Sequence, residues 1–277
     1  MRKTIGPILL LSLFMLTCKS SNDGGEIPKR PPLRDIEAIQ ERGTLKILTE
    51  NGAVSFYKYK DKYLGFEYDI LDTFARSIGV ELEVEMISNP EDFVRKLNSY
   101  EGDIIACNKP ITMSSKELHA FSLPYNHSFQ VLVQRNDPDS IIRDISELKN
   151  KSLHIRNKSA FVKRILHLED EIGANIDLQT LPNYPIAEDL IEKVSNGEID
   201  FTIAMENTAR IEQSCVTNID ISTLLSVRQN IAFGLRKSDV KLKKKLDYFL
   251  EDFLYSNAYK VLRKKYFDYM EETDFFI

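Results

Sequence analysis

The stretch that decides the fold begins at Gly65–Asp69 (GFEYD) and ends at Gly102–Ala106 (GDIIA). Between them, apolar residues recur at helical spacing over Phe66–Ile78, which predicts an amphipathic helix. The pattern then alternates between apolar residues and glutamates over Val80–Met86, which is typical of a strand with one buried face. Asn89-Pro90 supplies an N-cap and a first-turn proline for another helix. The stretch therefore predicts helix, strand, helix and strand, which together form a β/α unit.

A similar succession of elements follows about a hundred residues later. It consists of a strand at Leu153–Ile155, a helix at Ser159–Leu168, a strand at Ile176–Leu181, a helix at Ala187–Ser195 and a strand within Gly197–Ala204. Two similar α/β lobes in one chain predict a cleft between them.

Composition limits the kinds of partner. The chain has 277 residues, 43% of them hydrophobic and 29% charged, which is ordinary for a globular protein. Its net charge of -5 argues against a nucleic-acid partner, because binding to phosphates needs a basic face. The one basic run, Lys241–Lys245, also contributes to a helical apolar face, and we interpret it as the solvated edge of a helix.

The N-terminus has the layout of a bacterial export signal. Arg2 and Lys3 precede an apolar stretch at Ile5–Leu16, which is too short for a comfortable transmembrane helix, and Cys18 follows. A cysteine at this place resembles the lipobox of bacterial lipoproteins, in which the thiol is acylated. We therefore predict a signal peptide at residues 1–17, lipidation at Cys18, a flexible tether at 18–32 and a periplasmic, lipid-anchored protein. An uncleaved anchor and a coincidental cysteine are the alternatives.

Catalytic and metal signals are weak. The four histidines have no metal-ligand spacing, so we expect no metal and no cofactor. Cys107 and Cys215 stand in apolar contexts and are predicted to be buried free thiols, and a disulfide that fastens the cleft is the alternative. No acid–base pair is evident, so we expect a protein that is not an enzyme and has no catalytic residues.

Several landmarks in order carry a family resemblance. They are Gly43–Ile47, Gly65–Asp69, Gly102–Ala106, Ile111-Thr112 and Phe121–Tyr125. Over residues 35 to 270 the chain resembles the family 3 extracellular (periplasmic) solute-binding proteins. The resemblance implies an α/β, two-lobe periplasmic-binding-protein type II fold with two hinge strands.

Within that family, Ala187–Glu192, Gly197–Ala204 and Lys265–Tyr269 resemble the N-terminal solute-binding-like domain of membrane-bound lytic murein transglycosylase F. The catalytic acid of that enzyme lies in a Glu-Ser dipeptide, and the present sequence contains no such dipeptide. We therefore expect the binding domain without the catalytic one.

The resemblance also implies the domain boundaries. Lobe 1 is expected to comprise residues 33–127 and 228–277, and lobe 2 residues 128–227. Phe129–Val133 is the expected outgoing hinge strand, and Asn230–Gly234 the returning one. Two crossing strands of this kind permit the lobes to close over a ligand.

In sheets of this type, ligands lie beyond the carboxyl ends of the strands. Family members that bind amino acids hold the ligand carboxylate with an arginine and its ammonium with a late aspartate. The arginine position falls on Ser115, with Lys116 next to it, and the aspartate position on Met205, with Glu206 next to it. Both charged positions are thus altered, and exposed loop charge is the alternative for Lys116 and Glu206.

The remaining candidates follow from their positions at predicted strand ends and helix starts. Core packing or surface charge is the alternative for each. They are Tyr57 as an apolar wall, Asn108 and Lys109 after a buried strand, Lys158 and Ser159 at a helix start, and Arg210.

The sequence therefore predicts a membrane-anchored solute-binding protein that closes on a small polar ligand, either an amino acid or a short peptide. It would serve transport through an ABC permease, or sensing. A non-catalytic partner of cell-wall hydrolases that recognises cell-wall peptides is the alternative, and a dehydratase-like enzyme is the third reading.

Overall fold

A computed structural model describes residues 35–183 and 185–267. The predicted signal peptide, Cys18 and the tether lie outside the described residues. The strands are β1 (Thr44–Thr49), β2 (Tyr57–Tyr59), β3 (Lys62–Leu64), β4 (Glu81–Met86), β5 (Ile104–Ala106), β6 (Ala120–Phe121), β7 (Asn126–Ser128), β8 (Gln130–Arg135), β9 (Ser152–Arg156), β10 (Asp177–Leu181), β11 (Phe201–Met205), β12 (Ile219–Asp220), β13 (Gln229–Ile231) and β14 (Gly234–Leu235).

The helices alternate with these strands. They are α1 (Asp35–Arg42), α2 (Phe66–Ser77), α3 (Pro90–Asn98), α4 (Met113–Leu118), α5 (Val162–Ile172), α6 (Ala187–Ser195), α7 (Glu206–Cys215), α8 (Val240–Phe253) and α9 (Asn257–Phe267), with a 3₁₀ turn at Ile145–Leu148.

Two five-stranded sheets confirm the predicted two-lobed α/β architecture. The first has the order β4-β1-β5-β14-β6, in which β1 is parallel to both β4 and β5. The second has the order β10-β9-β11-β8-β12, in which β9 is parallel to β10 and β11. We call the part of the molecule around the first sheet lobe 1 and the part around the second lobe 2.

The chain crosses between the lobes twice, and the two crossings pair with each other. β7 and β13 form an antiparallel ribbon in which His127 faces Asn230. The outgoing crossing therefore lies just before Phe129–Val133, the segment predicted for it. Most of that segment belongs to β8, a buried strand inside the sheet of lobe 2. Val131, Leu132 and Val133 of this segment are buried in that sheet.

Local sequence signals account for the element boundaries around the GFEYD stretch. Gly65 precedes α2 with φ at 147°, and a Cβ there would lie 2.3 Å from the backbone oxygen of Ser55, so only glycine fits. Asn89 caps α3 by accepting a hydrogen bond from the backbone N–H of Glu91. The helix and strand predicted from these residues are thus confirmed.

The last two helices pack onto lobe 1. Leu242, Leu246 and Leu250 of α8 are fully buried in the same core as Phe74 of α2. Lobe 1 is therefore built from two separate segments of the chain, because α8 and α9 follow the return from lobe 2.

The two cysteines differ in environment. Cys107 is buried and free, as predicted. Cys215 is free but exposed, so the prediction of burial is wrong there. It ends α7, whose buried residues, Asn207, Thr208 and Ala209, lie near the start of the helix.

Candidate ligand-binding cleft

A cleft lies between the lobes, where the carboxyl ends of β1, β5, β9 and β11 converge. It encloses about 750 Å³ of empty space, including the solvent at its open side. Both lobes line it, with Glu50, Gly52, Ser55, Asn108 and Lys109 from lobe 1 and Arg156, Ser159, Phe161, Glu188 and Met205 from lobe 2 among the lining residues. We call this space the first compartment.

An ion pair crosses the first compartment. Nη1 of Arg156 lies 2.8 Å from Oε2 of Glu50, and both side chains are largely buried, at 14% and 17% exposure. Burial acts to raise the pKa of Glu50, but the charges of Lys109 and Arg156 outweigh it and hold that pKa below its usual value. Glu50 is therefore a carboxylate at neutral pH, and the pair holds the lobes together.

Glu188 is a second carboxyl group in the cleft, and its surroundings differ. It accepts a hydrogen bond from the backbone N–H of Ala53 in lobe 1 at 3.2 Å, and within the described residues it forms no ion pair. Burial raises its pKa to about 7, since the hydrogen bonds from its own backbone N–H and from Ala53 only partly offset the loss of solvent. A ligand cation beside this group would supply the charge partner that the described protein does not.

Lys109 is the cationic counterpart of Glu188 in the cleft. Its ammonium lies 4.4 Å from the centre of the Phe93 ring, and it makes no ion pair with any residue in the described part of the chain. Its charge contributes to the low pKa of Glu50, so it lies near that carboxylate. Lys109 is thus held by an aromatic ring and remains able to bind a ligand anion.

Asn108 joins the two lobes in the inner part of the cleft. Its side-chain amide donates to Oδ1 of Asn207 and to Oγ1 of Thr208, each at 3.0 Å, and Asn207 donates back at 2.9 Å. Its backbone has φ at 47°, a conformation that asparagine adopts more readily than most residues, and its N–H donates to both carboxyl oxygens of Glu67 at 3.0 Å. The structure therefore has its lobes in contact through hydrogen bonds.

Glu67 lies behind Asn108 and is 1% exposed. It also accepts a hydrogen bond from the hydroxyl of Tyr125. Burial raises the pKa of Glu67 to about 7, although hydrogen bonds from Ser55, Tyr125 and Asn108 act in the opposite direction. This group supports the cleft from beneath and does not line it.

A second compartment adjoins the first on the lobe 1 side, with about 860 Å³ of empty space including open solvent. Its walls are mainly apolar. They include Phe93, Val94, Ile105, Leu118 and Phe121, together with Ser115, His119, Lys109, Arg156 and Lys158. Lys109 and Arg156 belong to both compartments, so the two spaces meet at these cations.

The structure distributes the ten predicted site residues over three places. Asn108, Lys109, Ser159 and Met205 line the first compartment, and Lys109, Ser115 and Lys158 line the second. Tyr57, Lys116, Glu206 and Arg210 are not among the residues that line either compartment.

Each of the predicted residues outside the lining has another environment. Tyr57 pairs with Leu64 in the β2–β3 hairpin. Lys116 is exposed on α4. Glu206 and Arg210 form an ion pair at 2.7 Å, one turn apart on α7.

Two of the predicted residues in the lining also have structural roles. Ser115 caps α4 through reciprocal hydrogen bonds with Thr112. Lys158 forms an ion pair with Glu91 of lobe 1, so it also bridges the two lobes.

Three charged residues of the cleft were missed. Glu50 directly follows β1 and Arg156 ends β9, so both lie at the carboxyl end of a strand, where ligands are expected. Their charge at these places was the signal that could have identified them. Glu188 carried no such signal, because an acidic residue in the first turn of a helix is ordinary.

Across residues 35–183 and 185–267, no three histidine, cysteine, aspartate or glutamate side chains come together in a way that could hold a metal ion. None of the helices within those ranges is long and apolar enough to cross a membrane.

Comparison with known proteins gives consistent results. The family profile described as bacterial extracellular solute-binding proteins, family 3, matches residues 45–269. Membrane-bound lytic murein transglycosylase F of Desulfosudis oleivorans is 28% identical over 246 residues, covering 89% of this chain and 53% of that protein. The same enzyme of Aliivibrio fischeri is 26% identical over 273 residues, covering 96% and 53%. The chain thus spans about half the length of these curated relatives.

Solved structures show the same fold. Tv2483 bound to L-arginine superposes with a TM-score of 0.74 at 18% identity, covering 84% of this chain and 94% of that one. An ancestral amino acid-binding protein, titled a precursor of cyclohexadienyl dehydratase, has a TM-score of 0.73 at 20% identity, covering 84% and 99%. A mutant of ArgBP from T. maritima has 0.71 at 23%, also covering 84% and 99%. These are two-lobed proteins of the type II periplasmic-binding fold, which confirms the predicted fold class.

Proposed function

Because the chain belongs to family 3 of the bacterial extracellular solute-binding proteins, we propose that it binds a small polar solute between its lobes. The solute carries both an ammonium and a carboxylate group, as an amino acid or short peptide does. Binding serves ABC-type transport or sensing, and the proposal assigns no catalytic step. The family's extracellular description, together with the signal-like N-terminal sequence, supports a periplasmic location and a lipid anchor at Cys18.

One observation carries the proposal, which is the arrangement of charges in the first compartment. Glu188 is a carboxyl group without an ion-pair partner among the described residues. Lys109 is a cation that likewise has no ion-pair partner among them. A zwitterionic solute would give each of them a partner. Charged groups inside a cleft are stabilised when they are paired and hydrogen-bonded, so such a solute would favour the closed arrangement of the lobes.

A thermal-shift titration of the purified protein with amino acids and short peptides tests this function. A ligand at a hundred times its Kd adds about 2.7 kcal/mol to the free energy of unfolding, which raises Tm by several degrees. Glu188→Gln should remove most of that rise. Glu192→Gln, which changes an exposed carboxyl on the same helix, should preserve it. No rise with any zwitterionic compound would overturn the proposal.

The relatives favour a second candidate. They are named lytic murein transglycosylases, and this chain matches about half of their length. On this alternative, the chain is a non-catalytic partner of cell-wall hydrolases and recognises cell-wall peptides. The same titration with muropeptides separates the two candidates, because a rise in Tm with muropeptides alone would favour the regulatory function.

A further inference from the structure

The two compartments adjoin each other and have different linings. Lys109 and Arg156 stand at their junction, together with Cys107, Pro110 and Ala160. On one side of this junction lie the two carboxyl groups, Glu50 and Glu188. A ligand that extends from the first compartment towards the second therefore lies beside these cations.

The second compartment differs from the first in charge. Among the described residues its lining includes Lys109, Arg156 and Lys158 and no aspartate or glutamate. Arg156 is paired with Glu50 and Lys158 with Glu91, so Lys109 is the cation that a ligand can pair with. Its apolar wall is formed by Phe93, Val94, Ile105, Leu118 and Phe121. A space with apolar walls and such a cation at one end is complementary to an apolar group that carries a negative charge.

A free amino acid has its ammonium and carboxylate attached to one carbon atom, so a molecule held at Glu188 keeps both charges close together. Each added residue extends a peptide by about 3.5 Å and moves the terminal carboxylate away from the ammonium. The added side chain can then enter the second compartment.

We propose, on the basis of the proposed function, that the ligand is a short peptide of two or three residues with an apolar C-terminal residue. Its N-terminal ammonium lies at Glu188 in the first compartment. Its C-terminal carboxylate pairs with Lys109 at the junction, and its last side chain packs against Phe93 and Val94 in the second compartment. The observation that carries this assignment is that the two compartments adjoin at a cation that has no ion-pair partner among the described residues.

Calorimetric titration of the purified protein with leucine, Ala-Leu and Ala-Leu amide tests the assignment. Ala-Leu presents one more side chain than leucine, a methyl group, whose burial should make it bind about threefold to fivefold more tightly than leucine. The amide should lose most of this gain, because it lacks the carboxylate that faces Lys109. Lys109→Met should lower the affinity for Ala-Leu towards that for the amide, whereas Lys245→Met, at an exposed position on α8, should have no effect.

A second pair of variants isolates the apolar compartment. Leu118 lines it and is 55% exposed, so Leu118→Glu leaves folding intact while it places a negative charge beside the peptide carboxylate. This variant should reduce the affinity for Ala-Leu and leave that for leucine unchanged. Leu166→Glu, at a residue with 51% exposure on α5, is the matched control and should change neither.

The outcomes separate this inference from the proposed function. If leucine and Ala-Leu bind equally well and Leu118→Glu affects neither, the peptide assignment is overturned while the solute-binding function stands. If neither compound binds, and muropeptides and other amino acids do not bind either, both the proposed function and the peptide assignment are overturned.

Discussion

Glu67 in lobe 1 is buried and Glu188 in lobe 2 is half-buried, and the two carboxyl groups have the same raised pKa and different partners. In each case, burial raises the pKa to about 7. Glu67 accepts hydrogen bonds from the backbone N–H of Asn108 and the hydroxyl of Tyr125, all within its own lobe. Glu188 accepts a hydrogen bond from Ala53 of the opposite lobe and faces the cleft.

The difference teaches that a perturbed pKa by itself does not identify a binding residue. Both groups are perturbed because both are removed from water. What separates them is whether the protein completes their hydrogen bonding. Glu67 is satisfied and holds the scaffold, whereas Glu188 is one of the groups that a ligand can still pair with. Four predictions test this comparison.

The largest expected effect is on stability at Glu67. Glu67→Ala leaves the Asn108 N–H and the Tyr125 hydroxyl without their acceptor in the core and creates a cavity. We expect it to lower the free energy of unfolding by about 3 to 5 kcal/mol, as measured by urea denaturation. Glu67→Gln is the control that keeps the shape and one acceptor oxygen, and it should cost less. A decrease in the free energy of unfolding of less than about 1 kcal/mol for Glu67→Ala would contradict the structural role of Glu67.

The second prediction concerns stability and pH. A carboxyl group whose pKa is raised to about 7 in the folded state binds more protons than the unfolded chain between pH 4.5 and 7. The free energy of unfolding therefore falls as pH rises through this window. Glu188→Gln should remove its share of this fall, about 2 kcal/mol across the window, and so should make the protein more stable at pH 7. Glu251→Gln, at an exposed position on α8, should leave the pH profile unchanged. A steeper fall in Glu188→Gln than in the wild-type protein would contradict this prediction.

The third prediction concerns ligand affinity and pH. A ligand ammonium pairs with the ionised form of Glu188, so below pH 7 binding must release the proton of this group. Affinity for a zwitterionic ligand should fall by up to about tenfold per pH unit between pH 7 and 5.5, and be flat above pH 7.5. Calorimetry in two buffers of different ionisation enthalpy would detect the released proton. An unchanged pH profile in Glu188→Gln would show that another group controls it.

The sequence predicts the fold well because the fold depends on local periodicity. The spacing in Phe66–Ile78, the asparagine cap at Asn89 and the apolar runs before the cleft each correspond to an observed element. Burial inside a sheet, by contrast, gives the same apolar pattern as a crossing strand. Asn126–Ser128 and the segment predicted as the outgoing hinge strand, Phe129–Val133, are adjacent in the chain, so the pattern alone does not separate them.

The cleft is harder to predict because it depends on contacts between residues far apart in the chain. Strand ends identified Asn108, Lys109 and Ser159, since each follows directly from an element boundary. The pairing of Glu50 with Arg156 joins residues 106 positions apart, and the approach of Glu188 to Ala53 spans 135. No local pattern shows that these residues meet, so only their three-dimensional arrangement reveals the charges of the cleft.

The smallest expected effects belong to Lys116 and Glu206, the charges next to the two family positions that this chain has altered. Lys116 is exposed on α4, and Glu206 is paired with Arg210 on α7, outside the lining of both compartments. Because exposed charges and i, i+4 pairs contribute little, Lys116→Ala and Glu206→Ala should each change ligand Kd by less than about twofold. Calorimetry with the ligand that binds wild type measures this, with Glu188→Gln as the positive control. A tenfold loss of ligand affinity in either alanine variant would mean that the ligand's charges lie towards the N-termini of α4 and α7. Glu188 would then not be the group that binds the ligand.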